Sequence, residues 1–182
     1  MTGRTHALLG MASLWLLVPV PGLVTPGNAG ALCAVAAFGA LLPDLDASAS
    51  TIRSLRVGRV RPFAPVGFVA NRAWGHRTLL HSPAGLAAFG ALCVPAGLLW
   101  GLPLALALFL GYASHLAGDA CTRTGIPGWP NRPDRRMHLL PARLRFVTGS
   151  LAEDALLPLL ALAVFLLVMT RLPVSGSLPL IP

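Results

Sequence analysis

Lysine is absent from this chain of 182 residues, and carboxylates are scarce: six acidic side chains stand against 14 basic ones, all of them arginine. Charged residues amount to 11% of the sequence, hydrophobic residues to 55%, and the mean hydropathy is +0.71. So little charge excludes an ordinary soluble surface and points to a polytopic membrane protein. Cysteine is nearly as sparse. Cys33, Cys93 and Cys121 are far apart and form no CxxC pair, which excludes a disulfide framework and a thiolate zinc cage. They read as small apolar fillers. The net charge of +8 comes mostly from two blocks of arginines and is not spread along the chain, so nucleic acid is disfavoured as a partner.

What the chain does have is a series of apolar runs, at about 7–24, 30–47, 84–100, 102–119 and 153–170. A spanning helix needs roughly 17 to 25 residues, and the second run reaches that length only if Leu45 to Ala47 belong to it. The expected fold is all-α: a polytopic transmembrane helical bundle of four or five spans, five favoured, in a single integral membrane domain over 1–182. Pro19, Pro21, Pro95 and Pro158 imply kinks, which membrane helices tolerate when neighbouring groups satisfy the freed backbone.

Arginines orient the bundle. Arg53, Arg56, Arg59, Arg61, Arg72 and Arg77 fall in the connection at about 48–82, and Arg123, Arg132, Arg135, Arg136, Arg143 and Arg145 in the one at about 120–152. The connections at Thr25 to Ala29 and at Gly101 carry none. By the positive-inside rule the two Arg-rich loops and the amino terminus, with Arg4, are cytoplasmic, which predicts an inner-membrane, multi-pass protein. Arg4, the first apolar run and Asn28-Ala29-Gly30-Ala31 together imitate a secretory signal with its cleavage site. The run is long for such a signal and cleavage would remove His6, so the segment is read as a span.

With that orientation the polar residues fall into one layer. His6 opens the first span, Asp44 and Asp46 close the second, His76 and His81 lead into the third, and His115 and Asp119 end the fourth, all at the cytoplasmic side. An ionisable group near the membrane core is costly, so such a gathering marks a functional site. His115 and Asp119 are four apart and share a helix face, within a segment whose Gly111, Ala113, Ser114 and Gly118 permit close helix approach. Behind Pro43 an extended turn would let one aspartate bind a metal while the other bridges or orients a histidine. His76 and His81 could supply two imidazoles across a short turn. Imidazole and carboxylate without thiolate suit zinc, manganese or iron, as one ion or as a pair that holds a water and clamps a phosphoryl or acyl oxygen. His138 reads as a surface residue. Asp134, Glu153 and Asp154 read as partners of arginines or as residues at a helix start.

Thr5-His6, Leu42-Pro43-Asp44-Leu45-Asp46, His76-Arg77 followed by His81-Ser82, and Gly111-Tyr112 with Ser114-His115 and Asp119 together resemble the LexA-binding, inner-membrane-associated family assigned as metal-dependent hydrolases (YdjM-like). The likeness runs from about Thr5 to Pro133 and extends to Thr122 and Gly125. It departs from the family pattern at Thr78 and Leu80, where a glycine and a threonine are usual. The resemblance implies a membrane-bound hydrolase that uses a divalent metal. The expected ligands are His6, Asp44, Asp46, His76, His81, His115 and Asp119. Asp44 and Asp46 are the candidates for general base, and Arg77, with Ser82 or Thr122, for positioning the substrate. A site between lipid and a basic loop suits an anionic or lipid-linked substrate. Two other functions compete with this one: an adaptor whose Arg-rich loops dock a cytoplasmic protein or anionic lipid, and an ion path. The path ranks last because its polar groups should occupy several depths, not one.

Overall fold

A computed structural model of the chain describes residues 1–47, 50–56, 58–74, 78–130 and 132–171. Four helical segments are long and apolar enough to cross a membrane: Ala29–Asp46, Pro83–Trp100, Leu102–Ala120 and Leu151–Arg171. The first apolar run is not among them. It forms α1 (Gly3–Ala12), tightens into a 3-10 turn over Ser13–Leu16 and continues as turns through Pro19 and Pro21. Prolines lack the amide hydrogen that a helix ladder needs. Ten α-helical residues rise only about 15 Å, half the thickness of a bilayer core.

The remaining elements follow from local chemistry. Asn28 closes the loop before α2 (Ala29–Leu41), its side chain accepting from the Thr25 amide at 2.7 Å and donating to the Leu23 carbonyl at 2.9 Å. After α2 the chain tightens into a 3-10 helix over Leu42–Asp46, not the extended turn expected. The connection expected as a loop at 48–82 contains two helices, α3 (Thr51–Ser54) and α4 (Phe63–Trp74). Ser82 caps α5 (Pro83–Trp100) with Pro83 in its first turn, where a missing amide hydrogen costs nothing. Gly101, at φ +95°, turns the chain directly into α6 (Leu102–Ala120).

After α6 the all-α expectation needs one correction. The Pro-rich stretch forms an antiparallel ribbon, β1 (Ile126–Trp129) with β2 (Arg132–Met137), in which Ile126 pairs with Met137 and Pro127 with Arg136. Ile126 seats the ribbon on Tyr112, Leu116 and Ala120 of α6. α7 (Leu151–Asp154) is separated from α8 (Leu156–Arg171) by a break at Ala155. Pro158, lying four residues past Asp154, accounts for that break because its ring opposes the carbonyl four positions earlier.

Helices α1, α2 and α6 form the interior, and α5 and α8 lie outside them with little of their surface buried. Small residues bring the inner helices together. A Cβ at Gly111 would collide with the Ala36 carbonyl and the Ala40 amide of α2, one at Gly39 with the Leu108 carbonyl of α6, and one at Gly10 with Ala36 and Ala40. Association of membrane helices relies on such backbone approach, since lipid is as apolar as the side chains themselves. Leu14, Leu17, Leu32, Ala107 and Leu167 fill the half of the core remote from the polar layer.

Candidate metal centre

The close contact of α2 and α6 decides the orientation of His115. Its ring is fully buried, and Nδ1 lies 2.7 Å from the carbonyl oxygen of Ala40. A carbonyl can only accept, so Nδ1 carries the proton and donates, which leaves Nε2 as a lone pair. Pro43 contributes here: it has no amide hydrogen with which the 3-10 turn could claim the Ala40 carbonyl.

Around His115 Nε2 stand atoms of the same electron-rich kind. His81 Nε2 is 3.3 Å away, Asp44 Oδ1 3.8 Å and Asp119 Oδ2 3.8 Å. His81 Nε2 also lies 3.3 Å from Asp44 Oδ1, and His6 Nε2 3.2 Å from Asp119 Oδ1. The His6 ring stacks on that of His115, with centroids 3.7 Å apart and planes 14° from parallel. A proton on His81 Nε2 can serve only one of the acceptors facing it, whereas a divalent cation serves them together. Ligand atoms of His6, His115 and Asp119 lie within 4.8 Å of one another, as do those of Asp44, His81 and His115. Because Nδ1 of His115 is engaged, only Nε2 could reach an ion, and the two candidate groups share that atom. Its donors are nitrogen and oxygen alone, the set that suits zinc, manganese or iron.

Asp44 and Asp46 have different surroundings. In a 3-10 turn of about three residues, side chains two apart diverge, and these two reach opposite edges of the His81 ring: Asp44 Oδ1 faces Nε2, while Asp46 Oδ2 lies 3.7 Å from Nδ1. Asp46 is buried, so it sits behind the imidazole in the manner of a carboxylate that orients a ligand histidine. Asp44 keeps 20% of its side chain exposed and is the most accessible member of the cluster.

Of the residues expected at the site, His6, Asp44, Asp46, His81, His115 and Asp119 come together. His76 and Arg77 lie outside the described residues. Ser82 Oγ donates to the Leu79 carbonyl at 2.7 Å and accepts from the Gly85 amide, and Thr122 Oγ1 donates to the Asp119 carbonyl at 2.7 Å. Both hydroxyls therefore fix helix ends at the rim of the cluster. His138 bonds the Arg123 carbonyl beside the β-ribbon.

Four supports were not anticipated. Tyr112 donates to the Leu80 carbonyl at 2.6 Å and so anchors the backbone just before His81. Asn71 of α4 donates to the carbonyl of Asp46 at 2.7 Å, and the Ala40 carbonyl orients His115. The fourth is Glu153, fully buried at the start of the last span, where Oε1 accepts from the Thr2 amide at 2.6 Å and Oε2 from the Gly149 amide at 2.8 Å. It pins the start of α1 and with it His6. The expectation of a helix start was right for Glu153; what the sequence offered as a signal for the rest was only that it is the one glutamate of the chain.

Neither curated proteins nor solved structures match the chain. A family model described as YdjM inner membrane protein matches residues 1–175.

Proposed function

Since the chain belongs to the YdjM inner membrane protein family, we propose that it is a membrane-bound, metal-dependent hydrolase working at the cytoplasmic face of the bilayer. The observation that carries this reading is the lone pair of His115 Nε2, faced by an imidazole nitrogen and two carboxylate oxygens. His6, Asp44, His81, His115 and Asp119 would hold one or two ions of zinc, manganese or iron. A bound ion of this kind supplies Lewis acidity and a water of lowered pKa. Asp46 keeps His81 Nε2 aimed at the centre. Asp44, the accessible carboxylate, meets water and substrate and would act as the general base through Oδ2, the oxygen that does not face the cluster. Ser82 and Thr122 hold the helix ends that frame the rim. Arg77, next in sequence to His76, is assigned to an anionic group of the substrate, because a guanidinium grips phosphate or carboxylate with two hydrogen bonds. The site lies at the ends of the candidate spans, which favours an amphiphilic phosphoester or lipid-linked substrate over a freely soluble one.

Metal content of the detergent-purified protein tests the reading. Wild type should carry at least one zinc, manganese or iron per chain after exchange against each, and His115→Ala and Asp46→Ala should lose or weaken it while still inserting and folding. A folded wild type without stoichiometric metal excludes the centre. A second reading, an adaptor without catalysis, is supported by the exposed arginines of the ribbon and the following turn, Arg135, Arg136 and Arg143. It predicts that Asp44→Ala leaves the biological activity intact.

A further inference from the structure

Helix α4 carries large apolar side chains that the described chain leaves uncovered: Val66, Phe68 and Val69 are 56%, 60% and 62% exposed, and Val60 just before the helix is 63% exposed. Arg59, Arg61 and Arg72 are exposed beside them. The opposite side is committed to the protein. A Cβ at Gly67 would collide with the Leu45 carbonyl and the Arg53 side chain, and Asn71 bonds the Asp46 carbonyl.

Two contacts tie this helix to the site end of a span. At its start Phe63 packs on Phe38 of the candidate span Ala29–Asp46, with ring centroids 5.7 Å apart. At its end Asn71 lies at the Asp46 carbonyl itself. The helix is thus held against the Leu42–Asp46 turn, at the site end of the candidate span, which is where a bilayer around the spans would meet its exposed face.

We propose that α4 is an interfacial helix whose partner is the anionic phospholipid surface of the leaflet at the site end. Val60, Val66, Phe68 and Val69 lie among the acyl chains, and Arg59, Arg61 and Arg72 reach the phosphate layer with their stems across the boundary. The lipid surface covers an apolar face that would otherwise meet water. Through Gly67 and Asn71 the same helix holds the Leu42–Asp46 turn, so Asp44 and Asp46 are fixed at the lipid boundary. The placement stands whether or not the centre holds a metal.

The test is spin-label accessibility in nanodiscs. Nitroxides at 66 and 69, in a Cys33→Ala/Cys93→Ala/Cys121→Ala background, are compared with labels at Leu98 of α5 and Arg136 of the ribbon. In discs containing phosphatidylglycerol, labels at 66 and 69 should collide with oxygen more than with a water-soluble nickel chelate, as the label at 98 does, and the label at 136 should show the reverse. In purely zwitterionic discs the values at 66 and 69 should move toward that at 136. An aqueous signature at 66 and 69 in the anionic discs overturns the proposal, and an unchanged value in zwitterionic discs overturns its electrostatic part. Wild-type protein photolabelled with a diazirine lipid gives a readout independent of the variants: the peptide covering 63–74 should be labelled along with α5, and labelling of α5 alone overturns the proposal.

Discussion

His115 shows how one backbone contact can set the chemistry of a side chain. Its Nδ1 proton is held by Ala40, so its Nε2 must be a ligand or an acceptor, and the His81, Asp44 and Asp119 atoms that face it can each be acceptors. Asp46 has a subtler part, because it reaches the centre only through the far edge of His81. Removing its charge without changing its shape should therefore weaken the site and not abolish it. Asp46→Asn is expected to bind metal about 10–100-fold more weakly, the usual cost of losing an outer partner of a ligand histidine, with full occupancy recovered at high metal concentration. Competition with a chelator in a titration measures this. Loss of binding at every concentration would make Asp46 a direct ligand.

At the scale of elements, the site depends on how closely α2 and α6 pack. Gly111 touches the Ala36 carbonyl one turn before His115, and any side chain there must push the helices apart. Gly111→Val is expected to destabilise the protein by about 1–3 kcal/mol through overpacking. It should also lower metal affinity, because the Ala40 carbonyl would leave hydrogen-bond range of His115. Thermal unfolding in detergent and the same chelator titration report the two effects. Gly30, which has open space around it near the start of α2, supplies the control: Gly30→Ala should leave metal affinity unchanged and keep or slightly raise stability.

For the whole molecule, the polar layer gathers the end of Ala29–Asp46, the start of Pro83–Trp100, the end of Leu102–Ala120 and the start of Leu151–Arg171. Four candidate spans arranged in this way would send residue 171 to the face opposite the site. Both Arg-rich connections leave from the site end, so the positive-inside rule predicts that this end is cytoplasmic. A reporter fused after Pro182 is expected to read as extracytoplasmic, and one inserted at Leu139, in the exposed turn after the ribbon, as cytoplasmic. The opposite pair of results would invert the assignment of the site to the cytoplasmic face.

Apolar run length alone determined four of the helical segments, since a stretch of that length and composition has no stable alternative in lipid. The pairing of His115 with Asp119 was equally legible, because residues four apart on a helix must share a face. Tertiary structure decided the remainder. Prolines at 19 and 21 could be read as kinks in a span, and only packing against α2, α6 and α8 shows a short helix followed by turns. The arginine-rich connection looked featureless because α4 owes its place to Gly67 and Asn71 meeting a distant turn. Glu153, Tyr112 and the Ala40 carbonyl act across 151, 32 and 75 residues of sequence respectively. Spacing reports which side chains share a helix face, whereas the partner of a buried hydrogen bond is fixed by how closely two backbones approach, and that distance is a property of the assembled helices.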